Sequence, residues 1–162
     1  MIRLAKYEDL DAIMGIYAIA RKYMADNDNA TQWLDSYPDR KMLRKDIQSE
    51  QLFVYVDNNN IHGVFAFIIG TEATYSYIEN GSWGNDDPYG AIHRVASDGV
   101  VKGIFSRCSD FCKERISNLR IDTHNDNHKM QYLIEKNAFE KCGIIYVQNG
   151  TPRIAYQYAP YK

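Results

Sequence analysis

The chain has 162 residues, of which 45% are hydrophobic, and this length and composition suit one globular domain with a substantial core. Its formal net charge of −2 argues against nucleic-acid binding, because neutralising phosphates requires a basic face. No apolar run approaches the length needed to cross a membrane, and no signal peptide is recognisable. Three cysteines without a disulfide-framework spacing favour a reducing compartment. We therefore expect a cytoplasmic protein with neither membrane nor nucleic-acid partners.

Hydrophobic periodicity predicts an alternation of strands and helices in the first half of the chain. The predicted elements, in order, are a strand Ile2–Ala5, a helix with an apolar stripe from Leu10 to Met24, an irregular helical region Thr31–Tyr37, a helix capped by Asp39, and a hairpin of Gln51–Val56 and Ile61–Ile69.

The second half continues with a more regular alternation. The predicted elements are a strand Tyr75–Ile78, a loop Glu79–Gly90, a strand Ala91–Ala96, a helix opened by Val100–Phe105, a strand Leu119–Asp122, a helix opened near Asn127, and closing strands Gly143–Val147 and Ile154–Tyr158. This order predicts a mixed α/β sheet in a single layered domain spanning residues 1–162.

The glycine turn Val100–Phe105 carries the first chemical signal. A helix that opens on a glycine turn presents unpaired backbone N–H groups and the positive end of its dipole, which suits a phosphate. Gly103 would also let the backbone approach such a ligand closely. The alternative is an ordinary helix start with a small residue, and the turn alone does not decide between the two.

In its order of elements and its motifs, the chain resembles the GNAT superfamily of N-acetyltransferases. Val100–Phe105 corresponds to the signature turn Arg/Gln-x-x-Gly-x-Gly/Ala, of which Gly103 is retained, and Asn127–Phe139 corresponds to the second family block. The resemblance implies a mixed, mostly antiparallel sheet of about seven strands flanked by helices. It also implies acetyl-CoA as the donor of the acetyl group.

The resemblance further implies which residues would contact acetyl-CoA. The predicted strand Ala91–Ala96, which corresponds to the family's fourth strand, would act through main-chain groups. The glycine turn would hold the pyrophosphate, and Lys102 would add charge at its rim. Asn127 would bind the pantetheine arm, or would simply cap its helix. The expected cofactor-binding residues are Val95, Ala96, Ser97, Val101, Lys102, Gly103, Ile104, Phe105, Ser106 and Asn127.

Acetyl transfer to an amine requires a general base with a pKa near neutrality. His93 on the predicted strand Ala91–Ala96 is the candidate, and a structural histidine is its alternative. His124 is a rival base, for which a local capping role is the alternative. The position at which the family often has a tyrosine as general acid is occupied by Ile134, so the sequence assigns no general acid.

The acceptor would be a small molecule or a peptide with a primary amine. Four aromatic residues are candidates for the wall of its pocket: Trp33, Tyr77, Trp83 and Tyr89. Aromatic residues near loops also form core edges or dimer contacts, so a homodimer stays open.

Two clusters suggest other sites, but neither has the right spacing. The Asp and His residues between Asp122 and His128 lack a zinc signature, so we expect no metal. Cys108 and Cys112 lie one helical turn apart on an apolar stripe, which favours packing over redox chemistry.

Two functions are therefore expected from the sequence. The first is an acetyl-CoA-dependent N-acetyltransferase that transfers the acetyl group directly. The alternative, which Ile134 and Phe105 favour, is a non-catalytic acyl-CoA-binding or sensing module.

Overall fold

The computed structural model describes residues 1–33 and 37–160. The helices are α1 (Leu10–Asp26), α2 (Arg40–Gln48), α3 (Ile104–Lys113) and α4 (His128–Lys136). The strands are β1 (Ile2–Leu4), β2 (Leu52–Asp57), β3 (Asn60–Ile69), β4 (Gly90–Ser97), β5 (Leu119–Thr123), β6 (Glu140–Tyr146) and β7 (Pro152–Tyr158).

The seven strands form one sheet in the order β1-β2-β3-β4-β5-β7-β6. β4 and β5 pair in parallel, and α3 provides the crossover that a parallel pair requires. The pairs β1–β2, β2–β3, β5–β7 and β6–β7 are antiparallel. The predicted mixed, mostly antiparallel sheet with flanking helices is therefore confirmed.

The chain divides into two compact units. The first consists of Met1–Phe67 and His93–Cys108, and the second of Ile68–Ile92 together with the chain from Ser109 onward. β4 and α3 each contribute residues to both units.

The core of the first unit is formed where α1 and α2 cover β2 and β3. Ile13 and Tyr17 of α1 and Leu43 of α2 are completely buried, as are Val54 and Val64 of the strands. The three- and four-residue spacing of helical positions and the two-residue spacing of strand positions bring these side chains to common faces. The stripe predicted from the sequence is therefore the buried face of α1.

The predicted cap of α2 is confirmed. Asp39 has extended backbone angles, and its Oδ1 accepts the backbone N–H of Met42 at 2.8 Å. This bond satisfies one of the amide groups that a helix start leaves without an intrahelical partner.

The predicted strand Tyr75–Ile78 is wrong. Ala73–Tyr75 forms a short 3₁₀ turn instead. Glu79, which directly follows the predicted strand, makes an isolated β-bridge to Ile144 of β6. Tyr75 is a core residue of the second unit, together with Tyr89, Ala91, Ile145 and Ala155. The alternation of aromatic and polar residues therefore reflects one buried tyrosine in a loop rather than the two faces of a strand.

The irregular helix predicted for Thr31–Tyr37 is not present in the part that the structure describes. Residues 30–33 form a turn, and residues 34–36 lie outside the described residues. Trp33 packs edge-on against Tyr17, with ring centroids 5.5 Å apart. Trp33 therefore docks onto α1 from a turn.

Candidate active site

β4 contains a kink at Arg94, which we call the Arg94 kink. Arg94 has a φ of 52°, in the left-handed region that residues other than glycine seldom adopt. Its carbonyl accepts the Tyr17 hydroxyl at 2.8 Å, and its guanidinium binds Asp46 at 2.5 Å. Burial raises the pKa of Tyr17, so this hydroxyl stays protonated and continues to donate. The backbone entering Val95 is thus fixed from two sides.

The three residues predicted to contact acetyl-CoA through their main-chain groups, Val95, Ala96 and Ser97, directly follow the Arg94 kink. Ala96 is buried, and Val95 and Ser97 are half-buried. A left-handed residue inside a strand redirects the following peptide groups away from the regular ladder. His93, the candidate base, is half-buried and lies immediately before the kink.

The glycine turn is closed by side chains of its own segment. The Gly99 N–H donates to Ser97 Oγ at 3.1 Å, and the Val100 N–H donates to Asp98 Oδ1 at 2.9 Å. Gly99 and Gly103 have φ values of 79° and 75°, so both require the conformational freedom of glycine. The N–H groups of Gly99 and Val100 are therefore already hydrogen-bonded to the side chains of Ser97 and Asp98, which precede the glycine turn.

α3 begins at Ile104, within the segment Val100–Phe105 that the sequence analysis placed at the helix start. The left-handed backbone of Gly103 does not belong to a right-handed helix, although its carbonyl accepts the Arg107 N–H at 3.1 Å. Ile104 and Phe105 are each only 4% exposed, so their side chains pack into the core. Amide groups in the first turn of a helix have no intrahelical acceptor, and at α3 they follow directly on Gly103.

Two cations lie near the start of α3. Lys102 is exposed, as predicted for a residue at the rim of the turn, and Arg107 is exposed with its guanidinium 5.5 Å from the ring centroid of Tyr55. The sequence analysis missed Arg107, although its spacing of four residues from Gly103 was a usable signal. β3 passes close to this helix start, because a Cβ at Gly63 would lie 2.7 Å from Ile104 Cγ2.

In the second unit, Asn127 caps α4. Its Oδ1 accepts the Met130 N–H at 3.1 Å, which is the capping alternative of the sequence analysis. Ile134, at the family's tyrosine position, is completely buried, whereas Tyr132 is 63% exposed. The two side chains therefore lie on different faces of α4.

His124 organises the turn that leads into α4. Its Nδ1 accepts the Asp126 N–H at 3.0 Å, and its carbonyl accepts the Asn127 N–H at 3.0 Å. Because a backbone N–H can only donate, the neutral ring must carry its proton on Nε2. In this tautomer the Nδ1 lone pair is engaged, so the ring does not have the lone pair that a general base needs. The geometry therefore favours the local capping role.

We expect His124 to titrate below the ordinary histidine pKa. Burial lowers its pKa most, and the positive charge of Arg153 lowers it further, whereas Asp126 raises it. Since the unfolded chain binds this proton more readily, the contribution of His124 to folding stability falls as the pH drops below about 6.5. Nitrogen-15 NMR should show the Nε2-protonated tautomer at neutral pH, and Asp126→Asn should lower the titration midpoint further. A proton on Nδ1 at neutral pH would contradict this assignment.

The predicted aromatic wall residues lie in both units. In the second unit, Trp83 donates from Nε1 to the Tyr75 carbonyl at 2.8 Å. The rings of Trp83 and Tyr89 lie 4.1 and 4.0 Å from the guanidinium carbon of Arg120, whose side chain is buried. These rings stabilise a buried cation of the same chain by cation–π contact.

The other two wall candidates differ in exposure. Trp33, in the first unit, is 8% exposed, whereas Tyr77 is 61% exposed and donates to Glu79 Oε1 at 2.7 Å. Tyr146 donates to the second oxygen of Glu79 at 2.6 Å. These two hydrogen bonds lower the pKa of Glu79, the bond from Tyr146 having the larger effect.

The Asp and His residues between Asp122 and His128 and the cysteine pair on α3 were the two alternative sites suggested by the sequence. Within residues 1–33 and 37–160, no group of three or more His, Cys, Asp or Glu side chains is placed to hold a metal ion. Cys108 and Cys112 are buried on α3, and burial raises the pKa of Cys112 to about 12, which suits packing rather than nucleophilic chemistry. No helix among these residues combines the length and apolar character needed to cross a bilayer.

Solved structures with the same fold provide the comparison. An acetyltransferase of the GNAT family from Streptococcus agalactiae is 30% identical, with a TM-score of 0.87 over 100% of this chain and 96% of that one. A putative acetyltransferase from Staphylococcus aureus is 26% identical, with a TM-score of 0.70 over 98% of both chains. A putative acetyltransferase from Salmonella typhimurium, solved with its cofactor acetyl-CoA, is 16% identical, with a TM-score of 0.62 over 98% of this chain and 92% of that one, and shows the fold alone.

No protein-family model matches the sequence, and no curated protein matches it either. The family is instead shown by structure together with sequence, since the Streptococcus agalactiae protein is matched over nearly its whole length. The order of strands and the glycine turn before α3 agree with this match. The chain belongs to the GNAT family of acetyltransferases.

Proposed function

We propose that the protein is an acetyl-CoA-dependent N-acetyltransferase that transfers the acetyl group directly to a primary amine of a small molecule or a peptide amino terminus. The observation that carries this proposal is one continuous segment of the first unit, in which the Arg94 kink is followed by a glycine turn and the start of α3. The Salmonella typhimurium protein of the same fold has acetyl-CoA as its cofactor, which supports the choice of donor.

The glycine turn fits a pyrophosphate. A Cβ placed at Gly103 would meet no atom within 4 Å, so the backbone there borders open space that a ligand would fill. Backbone N–H groups of residues 101–106 would hold the pyrophosphate, and Lys102 and Arg107 would add positive charge. Main-chain groups of Val95, Ala96 and Ser97 would hold the pantetheine arm.

Acetyl-CoA supplies an acyl group activated as a thioester, and the chain's own residues prepare the acceptor. A backbone N–H next to the Arg94 kink would polarise the thioester carbonyl, because Tyr17 and Asp46 fix its direction beforehand. His93 would take a proton from the ammonium group of the acceptor, and the neutral amine would then attack the thioester carbonyl. The thiolate would take its proton from solvent, since Ile134 occupies the tyrosine position.

Two measurements, made one after the other, test the proposal. Isothermal titration calorimetry with acetyl-CoA should show binding at a single site. Incubation with a panel of primary amines should then release free thiol from acetyl-CoA at a rate that depends on the amine. If no binding is observed, the proposal fails.

Binding without amine-dependent thiol release would instead support a non-catalytic acyl-CoA-binding or sensing module. The complete burial of Ile134 and the loss of the small residue at Phe105 are the observations that favour this second function.

The role of His93 is tested separately. We expect His93→Gln to lower the rate of thiol release by about a hundredfold, because general base catalysis typically contributes 10²–10⁴-fold. The affinity for acetyl-CoA should stay the same. An unchanged rate across pH would exclude His93 as the base.

The setting of the reaction is also part of the proposal. We place the protein in the cytoplasm as a single acetyltransferase domain, with a homodimer as one arrangement. Trp33, Tyr77, Trp83 and Tyr89 remain the proposed contacts to the acceptor. Since Trp33, Trp83 and Tyr89 are packed against their own units, Tyr77 is the most accessible of the four.

A further inference from the structure

A histidine and an aspartate are joined next to the glycine turn. His62 of β3 and Asp98, the first residue after β4, form a hydrogen bond of 2.7 Å between Nδ1 and Oδ2, and each side chain is only 15% exposed. Because an ionised carboxylate can only accept, Nδ1 is the donor. The Asp98 N–H also donates to the His62 carbonyl at 3.1 Å. The two residues are therefore connected through both their backbones and their side chains.

Asp98 uses its second carboxylate oxygen to shape the turn. Oδ1 accepts the N–H of Val100, two residues further on. The same local pattern occurs between β6 and β7, where Asn149 Oδ1 accepts the Thr151 N–H at 3.1 Å. Such side-chain bonds hold many turns in proteins. At Asp98 the carboxylate is additionally oriented by a partner from another strand, which a turn of this type does not need for itself.

β3 is also the strand on which the start of α3 packs. Gly63 follows His62, and a Cβ at this position would lie 2.7 Å from Ile104 Cγ2 and 3.6 Å from the Ala96 carbonyl oxygen. One short segment of β3 thus contacts the end of β4, the turn and the first residue of α3. It therefore lies beside the backbone that connects these three elements.

We infer that His62 and Asp98 are positioning residues for the phosphate end of the acetyl donor. His62 orients Asp98, and Asp98 engages the Val100 N–H, so that the N–H groups from Val101 onward are the ones directed at the pyrophosphate. Both carboxylate oxygens are held by donors, which limits the repulsion that an unpaired carboxylate would exert on an anionic ligand. This inference rests on the proposed function of the glycine turn.

The test compares CoA with pantetheine, which lacks the pyrophosphate. We expect His62→Ala and Asp98→Ala to raise the Kd for CoA about tenfold, which corresponds to one lost hydrogen bond, and to change the Kd for pantetheine less than about twofold. His62→Asn should restore CoA binding, because its side-chain N–H₂ can replace the Nδ1 donor. Asn149→Ala removes the same kind of turn bond elsewhere and should leave both constants unchanged.

A second measurement uses the wild-type protein only. On addition of CoA, the amide NMR signals of residues 101–106 should shift, and those of Gly99 and Val100 should stay near their positions. This measurement still tests the positioning role of His62 and Asp98 if an alanine variant does not fold. A shift of the Val100 amide as large as that of its neighbours would overturn the inference.

Failure of the inference can be distinguished from failure of the proposed function. If wild-type protein binds no CoA, both are wrong. If wild-type protein binds CoA but His62→Ala weakens CoA and pantetheine equally, or weakens neither, the pair has no positioning role and only the inference is overturned.

Discussion

Gly103→Ala should lower the affinity for acetyl-CoA by about 10- to 100-fold, whereas Gly99→Ala should leave it nearly unchanged. Both glycines have left-handed backbones, with φ values of 75° and 79°, and a Cβ at either position meets no atom within 4 Å. The cost to folding should therefore be the same for both variants, at about 1–2 kcal/mol. Only the effect on the ligand should differ.

The difference arises from what each backbone is used for. The Gly99 N–H is already engaged by Ser97 Oγ, while Gly103 directly precedes the first amides of α3. A methyl group at Gly103 would occupy the open space on the ligand side and would displace one charge-assisted hydrogen bond to phosphate, worth about 1.5–3 kcal/mol. Calorimetry with acetyl-CoA measures the affinities, and urea unfolding verifies the equal stabilities. Equal losses of affinity in the two variants would show that the turn acts only through its fold.

The sequence predicted most elements because their patterns are local. The stripe from Leu10 to Met24 marks the buried face of α1, and Asp39 shows the start of α2 by its capping chemistry. The error at Tyr75–Ile78 has a non-local origin. The loop approaches β6 so closely that a Cβ at Gly81 would lie 1.9 Å from the Cys142 carbonyl oxygen, and no pattern within the loop indicates that distant partner.

The candidate site was predictable only where it depends on spacing along the chain. Gly103 could be identified because a turn before a helix has a recognisable sequence. The Arg94 kink could not, since an arginine with a positive φ is held there by Tyr17 and Asp46, which are 77 and 48 residues away. His62 was missed for the same reason, because its significance depends on a partner 36 residues later.

The Arg94 kink also leads to the largest expected change in stability. We expect Asp46→Ala to lower the free energy of unfolding by about 3–5 kcal/mol, because it leaves the buried guanidinium of Arg94 without its carboxylate. The two side chains are only 11% and 12% exposed. Asp11→Ala is the matched control, since it removes a carboxylate 2.7 Å from Arg40 in a pair that is 92% and 50% exposed. Its cost should stay below about 1 kcal/mol.

Urea unfolding of both variants measures this difference in stability. A double variant tests whether the loss comes from leaving the buried charge of Arg94 unpaired. Asp46→Leu combined with Arg94→Met replaces the ion pair by apolar groups and should recover most of the stability lost in Asp46→Ala, since buried pairs are often no better than well-packed hydrophobic residues. Its thiol-release activity should nevertheless be low, because Met at position 94 and Leu at position 46 cannot form the ion pair that holds the left-handed backbone there. Full activity in the stable double variant would show that the ion pair is not needed to fix the kink, and would leave the hydrogen bond from the Tyr17 hydroxyl to the carbonyl of residue 94 as the contact that holds it.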